Sequence, residues 1–170
     1  MEVTTGHTTI LETRSLHWPD EAACGHFAAA LAARLIRHPA LQDACIELEG
    51  PLGAGKTSFV RHLLRALGVD GRIKSPTYAV VEPYEVQLRA GCWLSVSHFD
   101  FYRFNDPREW EDAGFRELYA APGLKLAEWA DKAAPLLPSP DLRLALAVNA
   151  DESRVATLQA FSERGRALLA

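Results

Sequence analysis

Apolar residues along this chain alternate between two spacings. Cys24, Phe27, Ala28, Leu31 and Leu35 recur at mostly three- and four-residue steps, which predicts a helix with one apolar stripe ending near His38-Pro39. Pro19-Asp20-Glu21 marks its start, a proline and two acids of the kind that favour a first helical turn. Helical spacing returns at Phe59, Leu63, Ala66 and Leu67, and Gly68 supplies a stop. Between the two helices, residues 44–49 predict a short strand that runs into a glycine-rich loop. The β-branched residues Thr8, Thr9 and Ile10 predict an opening strand over residues 7–11, with residues 15–18 leading into the first helix.

Downstream, residues 69–76 read as a turn-rich linker and residues 77–86 as extended chain. Arg89-Ala90-Gly91 turns that segment back into residues 93–99, an antiparallel arm ending at Asp100. Asp106-Pro107 opens a short helix over 108–113, Gly114 closes it, and residues 115–119 form another helical turn. Residues 124–127 form a short strand that delivers Glu128-Trp129. A proline-marked loop follows, then a terminal hairpin (142–148 and 154–158) and a last helix from Ser162. With no internal repeat and no composition shift, residues 1–170 read as a single domain.

Composition narrows the class. At 48% hydrophobic and 24% charged, the chain excludes disordered, collagenous and coiled-coil readings. Its 170 residues suffice to bury roughly 70% of the unfolded surface. A net charge of −4 argues against autonomous nucleic-acid binding. Cys24, Cys45 and Cys92 form neither a disulfide framework nor a metal-ligand spacing. With no signal peptide and no apolar run near the ~18 residues of a membrane span, the expectation is a cytoplasmic α/β protein with no membrane partner.

Gly50-Pro51-Leu52-Gly53-Ala54-Gly55-Lys56-Thr57 matches the Walker A pattern. Phosphate oxygens must meet several backbone N–H groups at once, and side chains there would block the approach. Gly53 and Gly55 permit the positive-φ backbone this requires. Lys56 can neutralise the β- and γ-phosphates, the Thr57 hydroxyl can ligate Mg²⁺, and the following helix points its positive end at the anion. Chance alone would produce the pattern on the order of 1% of the time in such a chain, and the strand-before, helix-after context lowers that further. No Asn-Lys-x-Asp base-reading motif follows, so ATP rather than GTP is the default nucleotide.

A γ-phosphate site also needs acids. Asp100 ends a largely apolar strand, where a Walker B aspartate sits; the plainer reading is a strand-terminal aspartate in a turn. Glu128 ends another strand, at the edge where open α/β sheets bind ligands. On its own it divides evenly between a Mg²⁺ or water-positioning acid and a surface glutamate. Thr77 could close on Mg²⁺ as switch threonines do, although spacing alone favours a turn hydroxyl. Trp129 could stack on a base, although residue type alone favours a core indole. His98 shares a strand face with Asp100 and could hydrogen-bond the acid or the ligand.

Several motifs stand in one order: the loop at 50–57, Lys74-Ser75-Pro76-Thr77-Tyr78, Val81-Glu82-Pro83-Tyr84, His98-Phe99-Asp100-Phe101-Tyr102-Arg103, Asp106-Pro107, Gly114 and Glu128-Trp129. Together, over roughly residues 19–148, they resemble the TsaE (YjeE) family, the bacterial P-loop ATPases of threonylcarbamoyladenosine tRNA modification. The resemblance implies a P-loop NTPase-like three-layer α/β fold with a mixed, mostly parallel central sheet and an antiparallel arm. It implies binding of ATP/ADP and Mg²⁺, with weak hydrolysis alone. It also implies TsaD and TsaB as partners whose turnover the ATP cycle supports, and tRNA contacted only through that complex.

Carried over by residue, Gly50, Pro51, Leu52, Gly53, Ala54, Gly55, Lys56, Thr57 and Ser58 would hold the nucleotide. Thr57, Glu128 and Asp100 would serve the metal. Lys56, Thr77, Asp100 and Glu128 would be catalytic. Trp129 would lie beside the site and Glu21 near the base. Pro51 stands where the family often has aspartate, and it has no N–H to offer a phosphate. Trp110 replaces the usual aliphatic residue of the short helix. Two other classes remain: a nucleotide-gated binding module, and a small-molecule phosphotransferase, for which Arg103 and Arg108 are available without forming an obvious lid.

Overall fold

The computed structural model describes residues 9–106, 108, 109, 114–134 and 136–170. Its centre is a seven-stranded sheet built from β1 (Glu12–Trp18), β2 (Cys45–Glu49), β3 (Val81–Arg89), β4 (Cys92–Asp100), β5 (Leu124–Glu128), β6 (Leu142–Val148) and β7 (Arg154–Ala160). Their spatial order is β1-β7-β6-β2-β5-β4-β3. The four central strands β6, β2, β5 and β4 run parallel. Each edge is antiparallel: β3 on β4 at one side, β7 and β1 beyond β6 at the other.

Alternation along the strands sorts side chains onto two faces. Ile46, Leu48, Leu94, Val96, Leu124 and Leu126 face α1 (Glu21–Arg37) and α2 (Lys56–Leu67). Those helices return Cys24, Ala28, Leu31 and Leu35, and Phe59, Leu63, Leu64 and Leu67; the predicted stripe position Ala66 is exposed, and Leu64 packs in the core instead. Each buried leucine or phenylalanine among them contributes roughly 1.5–3 kcal/mol by leaving water. On the opposite face, Cys45, Phe99 and Ala127 pack with Phe101, Phe104, Tyr119 and Ala130 from the chain around α3 (Phe115–Ala120) and a 3₁₀ turn at Ala130–Lys132. The result is three layers, helices on both sides of a mixed sheet. A last helix, α4 (Glu163–Leu169), is capped by Ser162 Oγ accepting from Gly165 N–H. α1 is capped by Asp20 accepting from Ala23 N–H, and α2 ends on Gly68 at φ 110°.

Two predicted elements shift. The opening strand lies at Glu12–Trp18, while residues 9–11 are irregular and residues 7 and 8 lie outside the described residues. Backbone pairing decides this, because β1 pairs with β7 at every one of its positions from Glu12 to Trp18. Residues 77–80 form a turn rather than extended chain. Val80 N–H donates to Pro76 O at 2.7 Å, and Val80 takes φ 68°, so the strand starts at Val81. The predicted helix over 108–113 falls largely outside the described residues. No described helix is long and apolar enough to cross a membrane.

Candidate functional site

Parallel pairing brings the ends of three strands together. Leu48 sits opposite Glu128, and Asp100 opposite Glu128, so two acids close adjacent strands at the edge where β2 enters its loop. That edge is where open α/β sheets bind ligands. The loop turns back tightly there. Gly50 has φ 144°, and a Cβ on it would stand 2.7 Å from Leu146 O, so any side chain collides with β6 backbone. Gly55, the residue before α2, takes φ 106°. Lys56, Thr57 and Ser58 of the first turn of α2 line the cleft there, and the first N–H groups of a helix have no partner within it.

Lys56 is buried, and its Nζ donates to Gly50 O and, at 3.5 Å, to Pro51 O. It also lies 3.9 Å from the centre of the Trp129 ring. Burial lowers its pKa, opposed by the charges of Glu128, Asp100 and Asp131. Thr57 Oγ1 donates to Glu128 at 3.1 and 3.3 Å. On the other side of that carboxylate, His98 Nε2 lies 2.6 Å from Oε2. His98 is fully buried and its Nδ1 has no hydrogen-bond partner among the described residues.

Asp100 accepts from Tyr102 N–H at 2.9 Å and from Thr77 Oγ1 at 3.3 Å. Burial raises its pKa, with Glu128 adding to the effect and the hydrogen bonds opposing it. Thr77 reaches Asp100 because Asp100 N–H bonds Val80 O at 2.8 Å, tying the turn to the strand end. Trp129 follows Glu128 at φ 57° and packs on Tyr102 with ring centres 5.1 Å apart.

Two clefts share the loop. The smaller, about 270 Å³, gathers the loop from Pro51 to Ser58 with Thr77, Asp100, Tyr102, Glu128 and Trp129. The larger, about 460 Å³, lies on the other side of Gly53, Ala54, Gly55 and Ser58 and is walled by Trp18, Glu21, Val148 and Arg154. The predicted residues are thus brought together around the loop, with Glu21 on the far cleft, 3.2 Å from His62 Nε2. Gly50 lines neither cleft and instead sets the turn. Sequence reasoning gave His98 a bond to Asp100 or the ligand, whereas its partner is Glu128, and it missed Tyr102 and Arg154. The His-x-Asp spacing marks His98 but not its partner, which lies on the neighbouring strand; Arg154 stands 100 residues from its partner Ala54, and no local pattern marks it. Arg103 lies over the Tyr78 ring and Arg108 pairs with Asp106, so both arginines considered for a lid have other contacts.

Three layers, a parallel core and a strand–loop–helix unit with acids at neighbouring strand ends define a P-loop NTPase architecture. A solved structure described as "Crystal structure of Bacillus subtilus YdiB" shares this fold, with a TM-score of 0.72 at 24% identity over 95% of this chain and 94% of that one. The family model "Threonylcarbamoyl adenosine biosynthesis protein TsaE" matches residues 18–156, and the chain belongs to the TsaE family. The tRNA threonylcarbamoyladenosine biosynthesis protein TsaE of Haemophilus influenzae is 34% identical over 132 residues, 78% of this chain and 80% of that protein. Its namesake in Bacillus subtilis is 34% identical over 119 residues, 70% of this chain and 71% of that protein. Membership supports a general role in ATP-dependent threonylcarbamoyladenosine biosynthesis.

Proposed function

We propose that this chain is the ATP-binding and ATP-hydrolysing component of the threonylcarbamoyladenosine machinery, supporting turnover of a TsaD–TsaB pair. The observation that carries this reading is the paired placement of hydroxyl and acid: Thr57 with Glu128, and Thr77 with Asp100, on two strand ends facing one loop. Phosphoryl transfer to water asks the protein for positioning and charge rather than covalent chemistry. The loop amides and Lys56 hold the phosphates, and Trp129 keeps the lysine in place from behind. Glu128 orients the attacking water. The oxygen of that water bonds the γ-phosphorus as the bond to the ADP oxygen breaks, leaving ADP and phosphate, with one water proton kept on the phosphate and the other released to solvent. His98 and Thr57 fix the Glu128 carboxylate from both sides.

The donors fit Mg²⁺. A hydroxyl and two carboxylates are hard oxygens, and Mg²⁺ takes one or two carboxylates, keeping its other positions for water and phosphate. Thr57, Glu128 and Asp100 would hold the ion, which would neutralise charge developing on the phosphate oxygens.

A second reading, nucleotide-gated docking, draws on Tyr78, which is 84% exposed directly after Thr77. The test uses purified protein with TsaD and TsaB. Lys56→Ala should abolish nucleotide binding, and Glu128→Gln should bind but not hydrolyse. Multiple rounds of tRNA modification sustained by a non-hydrolysable ATP analogue would favour gating over hydrolysis.

A further inference from the structure

Arg154 opens β7, on the opposite side of the loop from Lys56, and its guanidinium spans two segments. Its Nε donates to Ala54 O at 2.9 Å and Nη2 to Gly53 O at 3.4 Å, while Nη1 donates to Glu152 O in its own turn. We propose that Arg154 is a positioning residue for the phosphate loop, holding it in its anion-binding shape before any ligand arrives. This rests on the reading of that loop as a phosphate binder.

The geometry follows from the peptide unit. In a trans peptide the carbonyl and the next N–H point in opposite directions. Holding Ala54 O toward Arg154 turns the Gly55 N–H away from it, toward the cleft that Thr57 and Glu128 line. The preceding peptide is held at both ends, by Nη2 on Gly53 O and by Ala54 N–H on Pro51 O at 3.1 Å. Glycines give this loop its freedom, and without an external restraint that freedom would oppose binding.

The restraint itself is anchored. The turn between β6 and β7 is closed by Asn149 N–H on Ser153 O at 2.9 Å, and by Asp151 accepting from Ser153 N–H at 3.0 Å and Ser153 Oγ at 2.5 Å. Glu152 takes φ 68° to complete it. Arginine suits the task because one rigid fork reaches carbonyls of both segments, whereas an ammonium is a point donor.

The test compares wild type, Arg154→Ala and Arg154→Lys. Calorimetry measures binding of ADP and of inorganic pyrophosphate, each with Mg²⁺. Amide NMR of the protein without ligand follows Ala54 and Gly55. Arg154→Ala should weaken both ligands alike by about tenfold, the scale of one charge-assisted hydrogen bond. It should also shift the Gly55 amide resonance before ligand is added, because the carbonyl of the same peptide loses its donor.

Arg154→Lys should recover only part of the affinity. Full recovery by lysine, wild-type pyrophosphate affinity in Arg154→Ala, or loss of ADP binding with pyrophosphate binding intact would each overturn the proposal. If Arg154→Ala does not fold, Arg154→Lys decides on the same criteria. Wild type that binds neither ligand overturns the phosphate-loop reading itself, and this is a different result from any failure at Arg154.

Discussion

Two substitutions at Glu128 separate its structural contribution from its chemistry. The side chain is 2% exposed and meets two donors, Thr57 Oγ1 at 3.1 Å and His98 Nε2 at 2.6 Å. Glu128→Ala removes the partner of a fully buried imidazole whose other nitrogen already has none among the described residues. An unpaired buried polar group costs about 1–3 kcal/mol. Glu128→Gln keeps the shape and an acceptor oxygen for His98, so most of that cost is avoided. Alanine should therefore destabilise by about 2 kcal/mol more than glutamine, which in a chain of this size is about 4–8 °C in Tm. Both variants should lose ATP hydrolysis by about a hundredfold or more, the scale of a water-positioning acid. Thermal unfolding by circular dichroism and phosphate release with TsaD and TsaB provide the two readouts. Equal Tm values would refute the dependence of His98 on this carboxylate, and wild-type turnover in Glu128→Gln would refute the assigned chemistry.

Other expectations follow from neighbouring features. Gly50→Ala places a Cβ 2.7 Å from Leu146 O at φ 144°, so it should lower stability by about 2 kcal/mol or more and weaken ADP binding, as urea unfolding and calorimetry would show. Unchanged values for both would mean that the loop does not need its present path. Glu47 is buried 3.2 Å from Arg143, and burial raises its pKa more than Arg143 and its hydrogen bond lower it. The folded carboxyl then binds a proton that the unfolded one has released, so its contribution to stability falls as pH rises from 4.5 through the folded value. Relative to Glu47→Gln, wild type should lose ground in urea midpoint as pH rises above 4.5; gaining ground would show that the ion pair outweighs burial. Burial also pushes the thiols of Cys24 and Cys45 up to about 11 and about 12. A thiol reagent should therefore label Cys92 in the native protein and all of Cys24, Cys45 and Cys92 in denaturant; rapid native labelling of Cys45 would contradict its burial.

What the sequence made legible was local. The α1 and α2 stripes, the glycine loop between β2 and α2, and acids at the ends of β4 and β5 all follow from spacing within one or two elements. The register that sets Asp100 beside Glu128 is a long-range property, and no local pattern encodes it. β1 was misplaced because its solvent-facing residues, Thr13, Arg14, Ser15 and His17, lack an apolar alternation, and its place is fixed by pairing with β7. Residues 77–80 have β-type side chains, yet the bond from Val80 N–H to Pro76 O folds them into a turn that presents Thr77 to Asp100. Tertiary contact overrides propensity there. The partner of His98 and the role of Arg154 are obscure for the same reason: Glu128 and Ala54 lie far away in the chain.

The central claim is that the loop at 50–57 binds the phosphates of a nucleotide through its backbone and Lys56. Calorimetric titration of wild type and Lys56→Ala with Mg·ADP tests it directly. Saturable binding to wild type that is lost in Lys56→Ala, with the variant's unfolding curve retained, is the predicted result. Wild type that does not bind, or a Lys56→Ala protein that binds equally well, would contradict it.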